Sequence, residues 1–357
     1  MKKVLLVLLL LIGAVAAGGA YFTWDFAVRP ASRLKNEITI DVPPGATFHS
    51  IRRGLEAEGL RIPEMPTRVW NSFTQASRRL HAGEYAINPS SSAYQILNKI
   101  LNGPAKSHRL VVREGTHIWD IQAVFAESLF KLPSNTYFEW IRDPKRLERM
   151  GVPKMSDPRV RPTLEGFLFP ETYTYFKYNS AESVLDAMLD LFEKRLKPIL
   201  SEHPWGATPE GRYKLLTLAS IVEKESGDVN EQPIIASVYW NRIRKGMKLQ
   251  ADPTTIYGLM PLFDGNLRKS DLLAYTPYNT YRITGLPPTP IANPGETAIR
   301  AVVHPASTNY IFFVAKNDGS GQHEFSETYQ AHAKFVDAYQ KKKRSRSASA
   351  LPPQTGR

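Results

Sequence analysis

Thr208-Pro209-Glu210, running on through Leu215-Leu216-Thr217-Leu218-Ala219-Ser220-Ile221-Val222-Glu223-Lys224-Glu225-Ser226-Gly227, reads as one helix with both ends marked. Thr208 suits an N-cap, Pro209 the first helical position and Gly227 the C-terminal end. Leu215, Leu218, Ala219 and Val222 recur at helical spacing, and Leu216 and Ile221 widen the stripe. At about 100° per residue, Glu223 and Glu225 flank this stripe on opposite sides, and Lys224 points away. A carboxyl at the edge of an apolar stripe is partly desolvated, which raises its pKa and keeps it protonated toward neutral pH. That is the state a general acid needs. The plain alternative is a pair of solvated last-turn glutamates. Acidic side chains at a helix C-terminus oppose the macrodipole, so their presence here asks for another reason. Periodicity does not choose between the two.

About 70 residues of turn-rich chain follow, and loops this long usually build a site. Helices are expected at 181–196, 209–225, 232–245 and 296–303, with the region 143–162 an irregular connection. Gln250, Asp252, Tyr257, Tyr278, Asn279 and Tyr281 fall in the loops. Amides, carboxylates and aromatic faces are the groups that hold sugars, although each could equally be a turn residue or a satisfied core group. Tyr310–Ala315 reads as a buried strand and His323–Phe325 as its partner across the Gly319–Gly321 turn. A closing helix is expected over 328–339.

Upstream, Ile38-Thr39-Ile40-Asp41-Val42 alternates with period two as a strand does. Pro43-Pro44-Gly45 turns, and Thr47 caps a helix through Ile51, Leu55 and Leu60. A second helix is expected over 66–80. A short strand at Ala82–Ile87 and a helix capped by Ser92 complete a small α+β unit that stops at Asn102-Gly103-Pro104. Arg109-Leu110-Val111-Val112 opens a second unit as a strand.

Met1-Lys2-Lys3 precedes an uncharged apolar run from Val4 to Phe22. Those 19 residues are close to the roughly 20 that span a bilayer. Tyr21, Phe22 and Trp24 close the run, as interfacial aromatics do. The rival reading is a signal peptide cleaved at Ala14-Val15-Ala16, but the apolar run continues past that point. The two lysines keep the N-terminus in the cytoplasm and the rest is exported.

The formal charge is +12 and the pI near 9.6. Setting aside Lys2, Lys3 and the six basic residues between Lys341 and Arg357 brings +12 down to +4. That body is too near neutral for a phosphate-binding surface, so nucleic acid is excluded as a partner. The absence of cysteine rules out disulfides and thiolate metal sites. His304 and His323 lack ligand partners in the sequence and His332 sits on the terminal helix, so no metal is expected. No Gly-rich phosphate loop occurs, and no cofactor is implied.

Leu164-Glu165-Gly166-Phe167-Leu168-Phe169-Pro170-Glu171-Thr172-Tyr173, the Ala219–Glu225 helix end, Leu249-Gln250-Ala251-Asp252-Pro253-Thr254 and Tyr278-Asn279-Thr280-Tyr281 together resemble the endolytic murein transglycosylase family, the MltG or YceG-like proteins. Gly285–Gly295 and the Tyr310–Phe325 hairpin are similar too, and the resemblance spans roughly 38–338 in order. It implies an α+β chain with a single N-terminal transmembrane helix, a small LysM-like module and a mixed α+β catalytic domain. The expected divisions are 1–3 cytoplasmic, 4–22 anchor, 23–36 linker, 37–104 module, 105–339 catalytic domain and 340–357 disordered basic tail. Ala251 stands where the family commonly has Ser or Thr.

The resemblance places the catalytic acid and base at Glu223, the first Glu of Val-Glu-Lys-Glu. It implies cleavage between N-acetylmuramic acid and N-acetylglucosamine within glycan strands, leaving 1,6-anhydro ends. Gln250, Asp252, Tyr257, Asn279, Tyr281 and Glu171 are the expected substrate-binding residues. Expected partners are peptidoglycan glycan strands, the synthases of the penicillin-binding class and, through the N-terminal helix, the bacterial inner membrane. Asp252 and Glu171 are also the available second carboxylates, so a hydrolase is the nearest enzymatic alternative. A non-catalytic wall-binding scaffold is the other, and the elaborate loops after Glu223 argue against it.

Overall fold

The structure, a computed structural model, describes residues 2–349, and the chain forms two compact units. Unit 1 runs from the N-terminus to Arg109 and includes Thr174–Ser180; unit 2 holds Leu110–Tyr173 and everything from Ala181 onward.

Unit 1 begins with α1 (Lys2–Ala27), which is apolar and long enough to cross a membrane. The strand β1 (Ile38–Val42) leads to α2 (Phe48–Ala57), α3 (Glu64–Thr74), β2 (Gly83–Ile87) and α4 (Ala93–Asn102). β1 and β2 pair antiparallel with Ile40 opposite Tyr85, so the alternation read in the sequence puts Ile40, Val42, Tyr85 and Ile87 on the buried face. Ile51 and Leu55 of α2 and Ile96, Leu97 and Ile100 of α4 close the core over them. Thr47 and Ser92 cap their helices with full capping boxes, as their positions predict.

The segment 23–36 is not a free linker. α1 continues past the apolar run to Ala27, and Phe26 and Ala31 are buried in the module's core. Asp25 is ion-paired with Arg29 and Arg61, and Ala31 and Ser32 donate to the carbonyls of Ser91 and Pro89. The polar composition of the segment concealed this, because its few apolar residues and its backbone make the attachment. α3 also stops earlier than its periodicity suggests, at Gln75, which takes a left-handed conformation with φ 51°.

β3 (Ser107–Val111) pairs with β4 (Thr172–Phe176), the two strands in which the chain passes between units. Unit 2 then has α5 (Ile118–Glu127), α6 (Ser134–Trp140), α7 (Pro144–Met150), α8 (Ala181–Leu191) continued by a π-helical turn Phe192–Leu196, α9 (Lys197–Leu200), α10 (Pro209–Glu225) and α11 (Gln232–Arg244). α12 (Asp252–Leu259), α13 (Lys269–Leu273), α14 (Glu296–Val303), β5 (Phe312–Ala315), β6 (His323–Ser326) and α15 (Tyr329–Ser349) complete it. α7 lies inside the stretch expected to be irregular, where Asp143 caps it and Pro144 opens it. β5 and β6 pair as expected, but β5 is half-buried rather than buried. α15 continues to Ser349, ten residues into the expected disordered tail, whose remaining residues 350–357 lie outside those described.

α10 is the central helix of unit 2 and packs on α11, α12 and α14. Every residue from Leu215 to Val222 is buried, so the stripe read from the sequence is in fact a whole circumference. Burying leucines and isoleucines of this kind contributes about 1.5–3 kcal/mol each. Thr217 and Ser220 share the burial at little cost, because their hydroxyls donate to the carbonyls of Tyr213 at 2.8 Å and Thr217 at 2.7 Å.

Candidate active site

Glu223 lies at the last turn of α10, where burial gives way to half-exposure. The segment following Ile291 is bound along this turn. The Ile291 N–H donates to Ser220 Oγ at 2.9 Å, and the Gly295 N–H donates to Glu223 Oε2 at 3.0 Å. On the other side, Gly115 sits against the Glu223 Cγ, and Lys224 Nζ donates to the Gly115 carbonyl at 3.1 Å. The Glu114 side chain packs against Gly295, so a Cβ at 295 would have to displace that carboxylate.

Burial pushes the Glu223 carboxyl above the ordinary range. The Gly295 N–H opposes that rise, the Glu114 charge adds to it, and Lys224 works against it. Burial wins, as the helix-edge position predicts. Glu225 is raised too, to about 7, by burial first, although the Tyr239 hydroxyl donates to it at 2.9 Å. Its further influences are the Asp252 charge, which raises it, and Arg242, which lowers it. The two glutamates therefore face different groups: glycines and backbone for Glu223, and a phenol with a second carboxylate for Glu225.

The loop residues singled out from the sequence gather largely as a group. Asp252 opens α12, is exposed, and accepts from the Tyr281 hydroxyl at 2.6 Å. Gln250 is exposed with φ 51°, and its N–H donates to the Thr280 carbonyl. Asn279 is fully buried, with its amide donating to the carbonyls of Asp271, Leu272 and Ala274 and its oxygen accepting from Thr255 and Tyr281. It therefore organises the loop, where the sequence suggested a sugar contact. Tyr257 is also buried: its hydroxyl donates to Glu165 at 3.1 Å and its ring lies 5.0 Å from Tyr278 and 5.2 Å from Trp119. Glu171 is exposed and pairs with Arg195 at 3.5 Å, and Arg195 reaches Glu296, the residue after Gly295.

Two carboxylates here escaped the sequence reading. Glu114 is the neighbour whose charge acts on Glu223. Glu165 is fully buried and accepts from Ile118 N–H at 3.2 Å, the Tyr257 hydroxyl and Asn293 Nδ2 at 2.9 Å. Burial pushes it up to about 8. Asn293 in turn accepts the N–H groups of Gly166 and Leu168, and its backbone pairs with Gly115 and Thr116. Thus Glu165 and Asn293 clamp the chain on both sides of Glu223. Gly166 holds φ 89° with Pro290 pressed on it, a place no side chain could take. A lone carboxyl within Leu164–Phe169 was the available signal for Glu165, since a charge in an apolar run must find partners.

A cavity of about 680 Å³ opens beside Tyr213, Lys214 and Thr217 of α10 and is bordered by Gly285–Pro288. Glu223 is not among the residues that line it. His304 and His323 each meet a single carboxylate, Glu202 and Glu231. No group of three or more metal-binding side chains gathers among the described residues.

The YceG-like family model matches residues 40–338. An endolytic murein transglycosylase of Bacillus subtilis (strain 168) is 30% identical over 333 residues, covering 90% of each chain. A protein of the same name from Streptococcus pneumoniae serotype 2 is 27% identical over 335 residues, 85% of this chain and 59% of that longer relative. The crystal structure of a yceG-like protein from Listeria monocytogenes superposes with a TM-score of 0.56 at 29% identity, over 84% of this chain and 99% of that one.

Proposed function

Since the chain belongs to the YceG-like family, we propose that it is an endolytic murein transglycosylase in which Glu223 acts first as acid and then as base. The observation that carries this reading is the Glu223 carboxyl itself, raised by burial yet met by the Gly295 N–H. Burial favours the protonated form that donates; the N–H favours the carboxylate left behind. A group used in both directions needs that balance.

The protonated Glu223 gives its proton to the oxygen between N-acetylmuramic acid and N-acetylglucosamine. The C1–O bond breaks and an oxocarbenium-like centre develops on the muramic residue. The C6 hydroxyl of the same sugar attacks C1, and its proton returns to Glu223. The products are a 1,6-anhydro end and a free N-acetylglucosamine hydroxyl, with no water consumed. Gln250, Asp252 at the start of α12 and Tyr281 are the groups offered to the sugar, while Asn279, Tyr257 and Glu165 hold the segments that carry them. The β–α–α–β module of unit 1 is read as a LysM-like wall-binding element, with a concavity of about 450 Å³ between α2 and α3. α1 would hold the enzyme in the inner membrane with its catalytic unit outside the cytoplasm, where it would trim strands delivered by penicillin-binding synthases.

A hydrolytic reading draws on Glu114, close enough for its charge to act on Glu223. Two-carboxylate cleavage adds water and leaves a reducing end. The test is digestion of intact glycan strands by the full chain, with mass spectrometry of the muropeptides. Anhydro ends are expected, and reducing ends would establish the hydrolase instead.

A further inference from the structure

Unit 1 carries an apolar stripe that its own core does not use. On α3, Met65, Val69 and Phe73 recur every fourth residue and are exposed at 62%, 40% and 86%. The same helix buries Pro66 and Thr67 and packs against α1. Its Trp70 ring lies 6.1 Å from Phe26 of α1, and Tyr94 packs edge-on against both rings.

These contacts place Trp70, in the middle of α3, level with Phe26. Phe26 is one turn beyond Phe22, where the apolar run ends, or about 6 Å along the helix axis. The polar layer outside the hydrocarbon core is about 5–7 Å thick on each side. Tyr21 and Trp24 are exposed on α1 at the same level. Arg29 and Arg61 both pair with Asp25 there, two guanidiniums on one carboxylate. Apolar anchors, exposed aromatics and excess arginine are what an interfacial helix presents to an anionic bilayer.

We propose that α3 lies on the membrane surface, with Met65, Val69 and Phe73 seated at the headgroup–acyl boundary of the bilayer that α1 crosses. The inference rests on reading α1 as a membrane anchor. Thr67 and Asn71, which line the concavity with Thr47 and His49, lie on the far side of α3 from the stripe, and Arg68 lies on its flank. Seating the stripe in lipid therefore leaves the concavity free.

The absence of cysteine makes the test direct, because each introduced thiol is the only one. The full chain carrying Phe73→Cys, His49→Cys or Leu9→Cys is nitroxide-labelled and reconstituted in vesicles of phosphatidylethanolamine and phosphatidylglycerol. All three sites are exposed, so no core is disturbed. Accessibility to oxygen, which partitions into lipid, is compared with accessibility to a water-soluble nickel chelate. The label at 9 is expected deep in lipid, the label at 49 in water, and the label at 73 several-fold less open to nickel than that at 49, with oxygen access raised. A label at 73 as open to nickel as that at 49, while position 9 remains in lipid, overturns the surface contact and spares the anchor. Nickel access lost at 73 without any gain in oxygen access, with spin–spin broadening, assigns the stripe to a second copy of the chain and likewise overturns it. A label at 9 open to nickel removes the anchor and the inference together.

Discussion

Ser220 and Glu223, one turn apart on α10, each accept a backbone N–H from the same stretch of chain: Ile291 at 2.9 Å and Gly295 at 3.0 Å. Glu223 is therefore held in register with the loop above it by two bonds that share one helix face. A turn of helix fixes the spacing of the acceptors, and the 291–295 segment sets that of the donors.

If Glu223 carries the chemistry, Glu223→Gln removes the proton and keeps the shape. General acid–base catalysis is worth about 10²–10⁴-fold, and one group serving both steps should lose the upper end of that range. Glu225→Gln should keep much of the activity, since Glu225 faces Tyr239 rather than Gly295. Anhydro-muropeptides counted after digestion decide it, with melting curves as a check on folding. A dead Glu225 variant beside an active Glu223 variant would move the assignment two residues.

The pH profile follows from the sign of the shift. Glu223 is raised, so its proton survives toward neutral pH and activity falls as pH climbs through its pKa. The Glu114 charge contributes to the rise. Glu114→Gln should move the alkaline limb of kcat to lower pH with little change in melting temperature. An unmoved limb would separate Glu114 from the acid.

Glu165 makes a prediction about stability. Its pKa rises from 4.5 to about 8 on folding. Between those values the folded chain keeps a proton that the unfolded chain has released, so this contribution is complete below about 4.5 and lost as pH rises to about 8. Glu165→Gln cannot titrate. Its melting temperature should decline less between pH 5 and 8 than that of the parent, which calorimetry across roughly that range reads directly. Parallel curves would mean that the buried carboxyl is ionised throughout.

Ser220→Ala leaves the buried Ile291 N–H without its acceptor, at a cost of about 1–3 kcal/mol. It also frees the segment that brings Gly295 to Glu223. Both a lower melting temperature and a lower kcat are expected. Full stability would show that Ile291 finds another acceptor, and intact activity that the two bonds are independent.

Local rules carried the sequence reading furthest where they act alone. α10 begins and ends where its cap and breakers place it, α14 fills the expected 296–303, and β1 buries the residues its alternation selects. The glutamate pair at the end of α10 was visible for the same reason, because a helix fixes which side chains flank an apolar stripe. The charge of Glu165 inside an apolar run was a local signal that the sequence reading passed over, and it would not have said what the carboxyl met. Nothing local, however, distinguishes Asn279, whose amide is spent inside its own loop, from Gln250, which is exposed. Nor could composition show that 23–36 joins the core through Phe26 and Ala31, or that Glu114 comes to lie beside Gly295, 181 positions later. Those facts depend on contacts across long sequence separations, where burial and hydrogen-bond partners are supplied by residues that no periodicity connects. The identities and spacing of the acids were written in the chain, while the environment that sets each one's protonation arose only on folding.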